Sequence, residues 1–526
     1  VDDIPILINV ILKAGIREAV DKYVPVQKNQ RDLSWGRTAV IWLAYILTTG
    51  DHRKVAVQEY VKRMQVTLTE LTGMLISDRD FSDDRLSVPA NYLSREEYRT
   101  GTEQTVSENS IEVYELLPEV VRVDATTVSG FRETAEGELF QFGHSKDDAN
   151  RPQIKIMTGS LDPLGMPSAS DVVSGERADD GLYPPIISRI SSMLCRKGLL
   201  YVGDCKLSSA ENRLHIKAKA DGHCLCPLPN TGSTPENMVI WTDEGNRRDE
   251  QEELIKYTVT NNKGEEVLKA KGYETEREQS GVTDGRETKR TERVLTVKSP
   301  AHEQQQKKGL ERRLKKAEEK LHALTPPRGR GKRQITEETV LTGSAESVLK
   351  KHKVQGLVDY EYVKEVEKET KYVGRGRGSA GREKTVVEKV RYQITKVSRD
   401  NEKIAETVKN YGWKAYVTDV AKNRPGFIDI VRTYRKQYRI ENIFNHLKSR
   451  LNIAPLYVKR KDQIKGMTHL LMLGVRIYTL IEFAVRRSLS DSRQKITGLH
   501  PENPGKATDS PTCERILKAF SNITLT

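Results

Sequence analysis

Apolar positions recur with helical spacing at the start of the chain. Ile4, Leu7, Ile8, Ile11 and Leu12 mark one run, and Trp42, Tyr45 and Ile46 mark another over residues 35–64. The first hundred residues therefore read as a helical domain. It carries 14 basic and 14 acidic side chains, and packing, oligomerisation and DNA binding are all compatible with it. Near residue 111 the texture changes. VVRVDATTV (120–128) is β-branched and apolar, with Asp124 near its end, and ELFQFG (138–143) and QIKIMTGSLD (153–162) read as further strands. DPLGMP (162–167) supplies a turn, residues 181–197 predict a helix, and GLLYVGD (198–204) is a short buried-type strand ending in Asp204. PLPNTGSTPEN (227–237) is a loop by composition.

Residues 241–410 are different again, with 39 basic and 31 acidic side chains. Leu310, Leu314, Leu321 and Leu324 line one side of an amphipathic helix over 302–324, which Pro326 and Pro327 end. YEYVKEVEKETKYV and KTVVEKVRYQITKV alternate as strands around GRGRGSAG (374–381), which reads as a hairpin. One helix is expected from 427 to about 451, an apolar helix over 467–486, and a short helix after Ser510. His469, Arg476 and Glu482 interrupt the apolar stretch, so a buried helix fits it better than a membrane span.

Charge sharpens this picture. The net +13 is unevenly spread: residues 1–240 carry 27 basic and 34 acidic groups, whereas 421–526 carry 20 and 8. A basic C-terminal region beside a mildly acidic half points to one polyanion-facing surface. Five cysteines make no disulfide framework, their odd number suits a reducing compartment, and His223, Cys224 and Cys226 lack a second pair at zinc-finger spacing. The opening residues VDDIPILINVILKAG have no basic n-region, so no secretory signal is expected, and with no initiator Met a preceding segment is open.

Three carboxylates are candidates for chemistry. Asp124 and Asp204 end apolar strand-like runs, where neighbouring strands can bring carboxylates together. With a third from a helix they would suit Mg²⁺ or Mn²⁺, although each Asp taken singly serves equally as a turn or cap residue. The third candidate is Glu441. Tyr434 precedes it by seven residues and Lys448 follows by seven, so a continuous helix would show all three as one stripe. Arg432, Arg435, Lys436 and Arg439 add positive charge to that segment, which alone reads equally as a solvated face.

VDATTVSG, FGHSKDDANRPQIK, DPLGMP, YVGD with ENR after it, GWKAYVTD and YRKQYRIENIFNHLK occur in that order. Together they resemble bacterial insertion-sequence transposases of the DDE type, in the branch with a Y-(2)-R-(3)-E-(6)-K signature and a large insertion before the catalytic Glu. The resemblance covers roughly 110–485, with DFSDDRL (80–86) and GLHPENP also similar to one subgroup. It implies an α+β chain with an RNase H-like core, a mixed sheet flanked by helices. The core would be built from 111–240 and 411–490, with a helical domain over 1–110, a β-rich insertion over 241–410 and a tail over 491–526. By position it makes Asp124, Asp204 and Glu441 the catalytic, metal-binding triad for two Mg²⁺ ions, with Mn²⁺ as substitute. Tyr434 and Lys448 take the signature's Tyr and Lys places, and Gln437 stands where the family has Arg. Gln lacks the guanidinium fork, so Arg435 or Arg439 would have to compensate in holding DNA.

The family motif containing His144, Ser145 and Lys146 offers a phosphate contact through Lys146, while a nucleophilic Ser/His pair is unsupported because adjacent residues on an extended chain face opposite ways. In relatives an insertion-domain aromatic stacks on an extruded base; Trp241 is the candidate here, and core packing suits it better. The implied activity is metal-dependent cleavage at transposon ends followed by strand transfer into target DNA. A homodimer on double-stranded DNA is implied, in a bacterial cytoplasm at the nucleoid and without membrane association. The rivals are a nuclease of the same fold without strand transfer and a transposase-derived protein that binds DNA without catalysis.

Overall fold

In the computed structural model, which describes residues 2–26, 33–261, 264–283, 286–329, 331–373, 383–422 and 425–523, each N-terminal apolar run forms two helices. These are Ile4–Lys13 with Ile16–Tyr23, and Trp35–Thr49 with Lys54–Thr72. Gly15 and Gly50 separate them with φ of 75° and 66°, a left-handed turn that a side chain would strain. Helices Asp83–Leu93 and Glu96–Val113 follow.

Strands β1 (Val120–Ser129), β2 (Gln153–Leu161), β3 (Met166–Ser174), β4 (Leu200–Val202) and β5 (His223–Pro227) come next. Then come β6 (Ile255–Thr260), β7 (Glu266–Thr283), β8 (Arg286–Lys298), β9 (Val358–Tyr372), β10 (Lys384–Arg399) and β11 (Trp413–Thr418). The chain divides into two compact units: Val1–Pro229 with Glu276–Val294 and Tyr416–Thr526, and Asn230–Thr275 with Leu295–Ala415.

In the first unit the strand order is β3-β2-β1-β4-β5-β11. The β1–β2, β2–β3 and β5–β11 pairs are antiparallel, while β1–β4 and β4–β5 are parallel, so the sheet is mixed. Every residue of β2 is buried. ELFQFG forms no strand, contrary to its alternation. β1 pairs with β2 as far as Ser129↔Gln153, and among the described residues Gln141 alone bridges to Gln153 beyond it. Helices flank the sheet, among them Tyr183–Leu194 beside β2 and β3, and Lys461–Asp491 beside β3.

Helix Lys461–Asp491 is long and apolar enough to cross a membrane by length and composition, yet 78% of its apolar window is buried inside the protein. Its Gly466 lies against Asp83–Leu93 so closely that a Cβ would come within 1.9 Å of the Ala90 carbonyl oxygen. The fully buried Arg476 donates to the Pro167 and Ser168 carbonyls at 2.8 and 3.1 Å, tying the helix to β3. Polar groups breaking the apolar stretch are thus hydrogen-bonded in the core.

The expected helix over 427–451 is interrupted. Helices Phe427–Arg435 and Tyr438–Asn445 are separated at Lys436–Gln437, and a wider turn, His446–Arg450, follows. Around the break the backbone closes tight turns, Lys436 to Thr433 and Gln437 to Tyr434. The cause is Arg122 of β1, whose guanidinium takes the Thr433 carbonyl at 2.9 Å and the Gln437 side-chain oxygen at 3.3 Å. Tyr434, Glu441 and Lys448 are therefore not a stripe on one straight helix.

In the second unit, helix Pro300–Leu324 buries Leu310, Leu314 and Leu321 against Leu341, Ala345 and Leu349 of helix Glu338–His352. β9 and β10 form an antiparallel ribbon from Val358↔Arg399 to Tyr372↔Lys384, and the GRGRG segment between them lies outside the described residues. Helix Thr234–Glu250 starts inside the segment expected as a loop, Pro235 occupying its first turn. Trp241 on that helix is half-buried, and its carbonyl accepts from the Tyr273 hydroxyl at 2.7 Å.

Candidate active site

The parallel β1–β4 ladder has three rungs, Val120↔Leu200, Val121↔Tyr201 and Arg122↔Val202, each a separation of 80 residues. Asp124 and Asp204 have the same separation, so extending the register sets them abreast. β4 stops at Val202, whereas β1 runs on against β2 with Asp124 opposite Thr158. Asp124 is thus mid-strand rather than at a strand end. The opening that admits its side chain comes from the short neighbour, not from its own strand.

Both carboxylates are held. Asp124 accepts from the Ala125 amide at 2.7 Å and pairs with Lys146 at 3.5 Å. Lys146 also donates to the Ala125 carbonyl at 2.6 Å, and its own amide donates to Thr127 Oγ1 at 3.0 Å. Asp204 accepts from the Tyr183 hydroxyl at 2.6 Å and the Lys206 amide at 2.8 Å. Burial raises Asp124 to about 6; Lys146 opposes this and the Asp204 carboxylate adds to it. Burial, then the two carboxylates, push the Tyr183 hydroxyl well above its usual range, so it remains a donor.

Glu441 sits in the first turn of Tyr438–Asn445, whose Ile440, Ile443 and Phe444 are buried and which packs against β1. Its carboxylate is exposed. Among the described residues no group of three His, Cys, Asp or Glu side chains is gathered closely enough to hold a metal. The fold brings Asp124 and Asp204 together and sets the Glu441 helix on the same strand, without closing a three-carboxylate cluster. Cys224 and Cys226 are buried in β5, and with His223 they also form no such cluster. The Asp pair does fit a hard divalent cation: its donors are all oxygen, and its raised proton affinity is the electrostatic cost that a cation removes.

The expected DNA-facing residues separate into distinct environments. Tyr434 is half-buried and packs on Tyr416 with ring centroids 4.6 Å apart. Lys448 pairs with Asp147 at 2.7 Å, next in sequence to the Lys146 that pairs with Asp124. Arg439 pairs with Asp162 at 2.9 Å and Arg435 is exposed. Gln437 turns inward, its oxygen on Arg122 and its amide nitrogen buried without a hydrogen bond. Arg122, fully buried, is also forked onto Asp162 at 2.8–3.1 Å. Asp162 thus joins two guanidiniums, from β1 and from the Glu441 helix.

Sequence reasoning missed Tyr183, Arg122 and Asp162. An Arg inside the apolar run VVRVD was the one signal for a buried ion pair; nothing local marks Tyr183, which touches Asp204 across 21 residues.

Comparison with known families matches the Transposase DDE domain to residues 115–475, well over half the chain. The chain belongs to the DDE transposase family. Among solved structures, the piggyBac transposase in a synaptic complex with hairpin DNA, determined by cryo-electron microscopy, is similar at 8% identity and a TM-score of 0.38. The similarity covers 99% of this chain and 79% of that one. A search among curated proteins finds no match. The family match spans Asp124, Asp204 and Glu441 together with the intervening second unit.

Proposed function

We propose that this DDE transposase cleaves DNA at transposon ends and joins the freed 3′ ends to target DNA, using Asp124, Asp204 and Glu441. The observation that carries the reading is that Asp124 and Asp204, each two residues past the last rung of the β1–β4 ladder, interact within a transposase DDE domain. Strand order 3-2-1-4-5, with only β2 reversed among them, supports an RNase H-like core of 111–240 and 411–490. In this reading residues 241–410 are an insertion and 1–110 a helical domain, and a bacterial insertion sequence at the nucleoid is the expected setting.

Asp124 and Asp204 would hold the divalent ions, two per site, and Glu441 would complete the set when DNA is bound. When bound, Mg²⁺ or Mn²⁺ supplies Lewis-acid stabilisation of the charge that develops on phosphate oxygens. The chain's own groups prepare that site. Tyr183 and the Lys206 amide fix one oxygen of Asp204, leaving the other for a ligand. Lys146 neutralises Asp124 and stands ready to exchange that partner for a DNA phosphate. Lys448 can make the same exchange from Asp147. Two DNA ends must meet, so the working form is a homodimer on double-stranded DNA.

A Mg²⁺-dependent end-cleavage and strand-transfer assay tests this. Asp204→Asn and Glu441→Gln should abolish both steps with the fold intact; full activity in either folded variant would sink the reading. A second reading, a transposase-derived protein that binds DNA without catalysis, draws on inward-turned Gln437 and exposed Glu441. It predicts DNA binding with no metal-dependent product.

A further inference from the structure

We propose that a cavity in the first unit, walled by Tyr45, His52, Arg53, Tyr60, Arg63 and Tyr457, binds an unpaired nucleotide of a DNA strand. The proposal rests on the transposase reading and adds a site that reading does not require. The cavity has a volume of about 790 Å³, within the range of small-ligand sites. None of the six residues belongs to the Asp124–Asp204 site.

Its chemistry is aromatic and guanidinium. Tyr457 is 58% exposed, an uncommon position for a large ring. His52 backs it with ring centroids 5.4 Å apart, and the Arg53 guanidinium stands 6.0 Å from the Tyr457 ring. Tyr45 and Tyr60 pack 5.0 Å apart deeper in, with Arg63 6.0 Å from the Tyr60 ring. Asp51 fixes Arg53 through contacts of 2.8–3.0 Å. Burial opposes ionisation of Asp51, but Arg53 holds it at about 2, so the carboxylate stays charged and keeps the Arg53 fork oriented. A guanidinium beside an open ring is the arrangement on which a base stacks while its phosphate meets positive charge.

Two buried groups back the cavity wall. His52 is 2% exposed, its ring nitrogens directed at the Leu451 and Pro455 backbone. The Tyr60 hydroxyl is buried and without a hydrogen bond. Both side chains line the cavity, and with their polar atoms buried they present ring surface rather than hydrogen-bonding groups to a ligand. Glu59 and Asn452 offer hydrogen-bonding groups there.

A neighbouring groove shows how a strand would arrive. It shares Pro455 and Tyr457 as walls and continues past Phe131, 83% exposed, and the basic pair Lys459–Arg460. A backbone lying along Lys459 and Arg460 places one base at the open face of Tyr457. The rings alone would also suit an organic cation, and Asp51 and Glu59 balance Arg53 and Arg63 in the cavity wall. The preference for an anionic strand comes from the adjoining groove, where Arg132, Lys459 and Arg460 outnumber Glu133 and Glu138.

The test uses the full chain and a short single-stranded oligodeoxynucleotide carrying one 2-aminopurine, whose fluorescence falls on stacking. The wild-type protein should quench the probe. Tyr457→Ala should lose the quench and bind about tenfold more weakly, the effect of removing one base–ring stack. Tyr457→Phe should keep both, and Arg53→Ala should weaken binding at unchanged thermal stability. Unchanged quench and affinity in Tyr457→Ala and Arg53→Ala would overturn the proposal. So would deoxyadenosine monophosphate competing as well as the strand, which would make the cavity a free-nucleotide site. Failure here with end cleavage intact in the wild type condemns the pocket alone. Absence of both DNA binding and cleavage in the wild type removes the transposase reading beneath it.

Discussion

The Tyr183 hydroxyl donates to the Asp204 carboxylate at 2.6 Å from a position that is 1% exposed. A donor so enclosed cannot be replaced by water, and it fixes which Asp204 oxygen faces outward. Tyr183→Phe should therefore lower Mg²⁺ affinity by about tenfold while costing about 1–2 kcal/mol of stability. Calorimetric Mg²⁺ titration separates this from a purely structural effect, which would move the melting temperature alone.

Asp124 should make the metal-free protein respond to pH in an unusual direction. Its folded value of about 6 lies above the ordinary 3.8. Between these values the folded chain holds a proton that the unfolded chain has released, so this group's contribution to stability falls as pH rises through that window. Asp124→Asn should be more stable than the wild type at neutral pH, with the difference vanishing below about 4. Urea unfolding of both proteins at the two pH values checks the sign. Saturating Mg²⁺ should narrow the gap at neutral pH by stabilising the wild type.

Placing Arg at position 437, where the resemblance to the Y-(2)-R-(3)-E-(6)-K branch expects it, should not help this chain. The inward side chain of Gln437 faces the buried Arg122 guanidinium, and a second cation there would meet like charge. Gln437→Arg should destabilise the fold by about 1–3 kcal/mol without strengthening DNA binding. Thermal unfolding and a salt-dependent binding titration read the two halves of this expectation.

Gly466→Ala should be far more costly than a surface substitution of the same kind. Its Cβ would sit 1.9 Å from the Ala90 oxygen, so two helices must separate. A loss of about 3 kcal/mol or more is expected, visible as a lowered denaturation midpoint. Gly309→Ala, with nothing within 4 Å of its Cβ, is the control and should be neutral or slightly stabilising.

Patterns that depend on neighbours in the chain were legible in the sequence. Leu310, Leu314 and Leu321 marked one face of a helix, and that face is the one buried. The alternation in 358–372 and 384–399 marked the two strands that pair. Alternation misled at ELFQFG because pairing needs a free partner, and the neighbouring strand was already taken. The 427–451 periodicity was sound on both sides of the break, but the break comes from Arg122, more than 300 residues away. In the candidate site, Asp124 and Asp204 stood out as carboxylates after apolar runs. Of the groups that hold them, Lys146 was marked by its motif, there as a phosphate contact, whereas Tyr183 comes from a separate segment and carries no local pattern.

The three-rung ladder between β1 and β4 sets a rule for tolerated length change. The stretch 133–137 can grow or shrink without touching the alignment of Asp124 with Asp204, because it lies outside the ladder and ahead of the segment that carries Lys146. One residue added or removed at Gly203 would rotate Asp204 out of reach, since side chains on an extended segment alternate between faces. Relatives should therefore vary in 133–137, keep the segment that carries Lys146, and keep a fixed count of two steps from Val202 to Asp204.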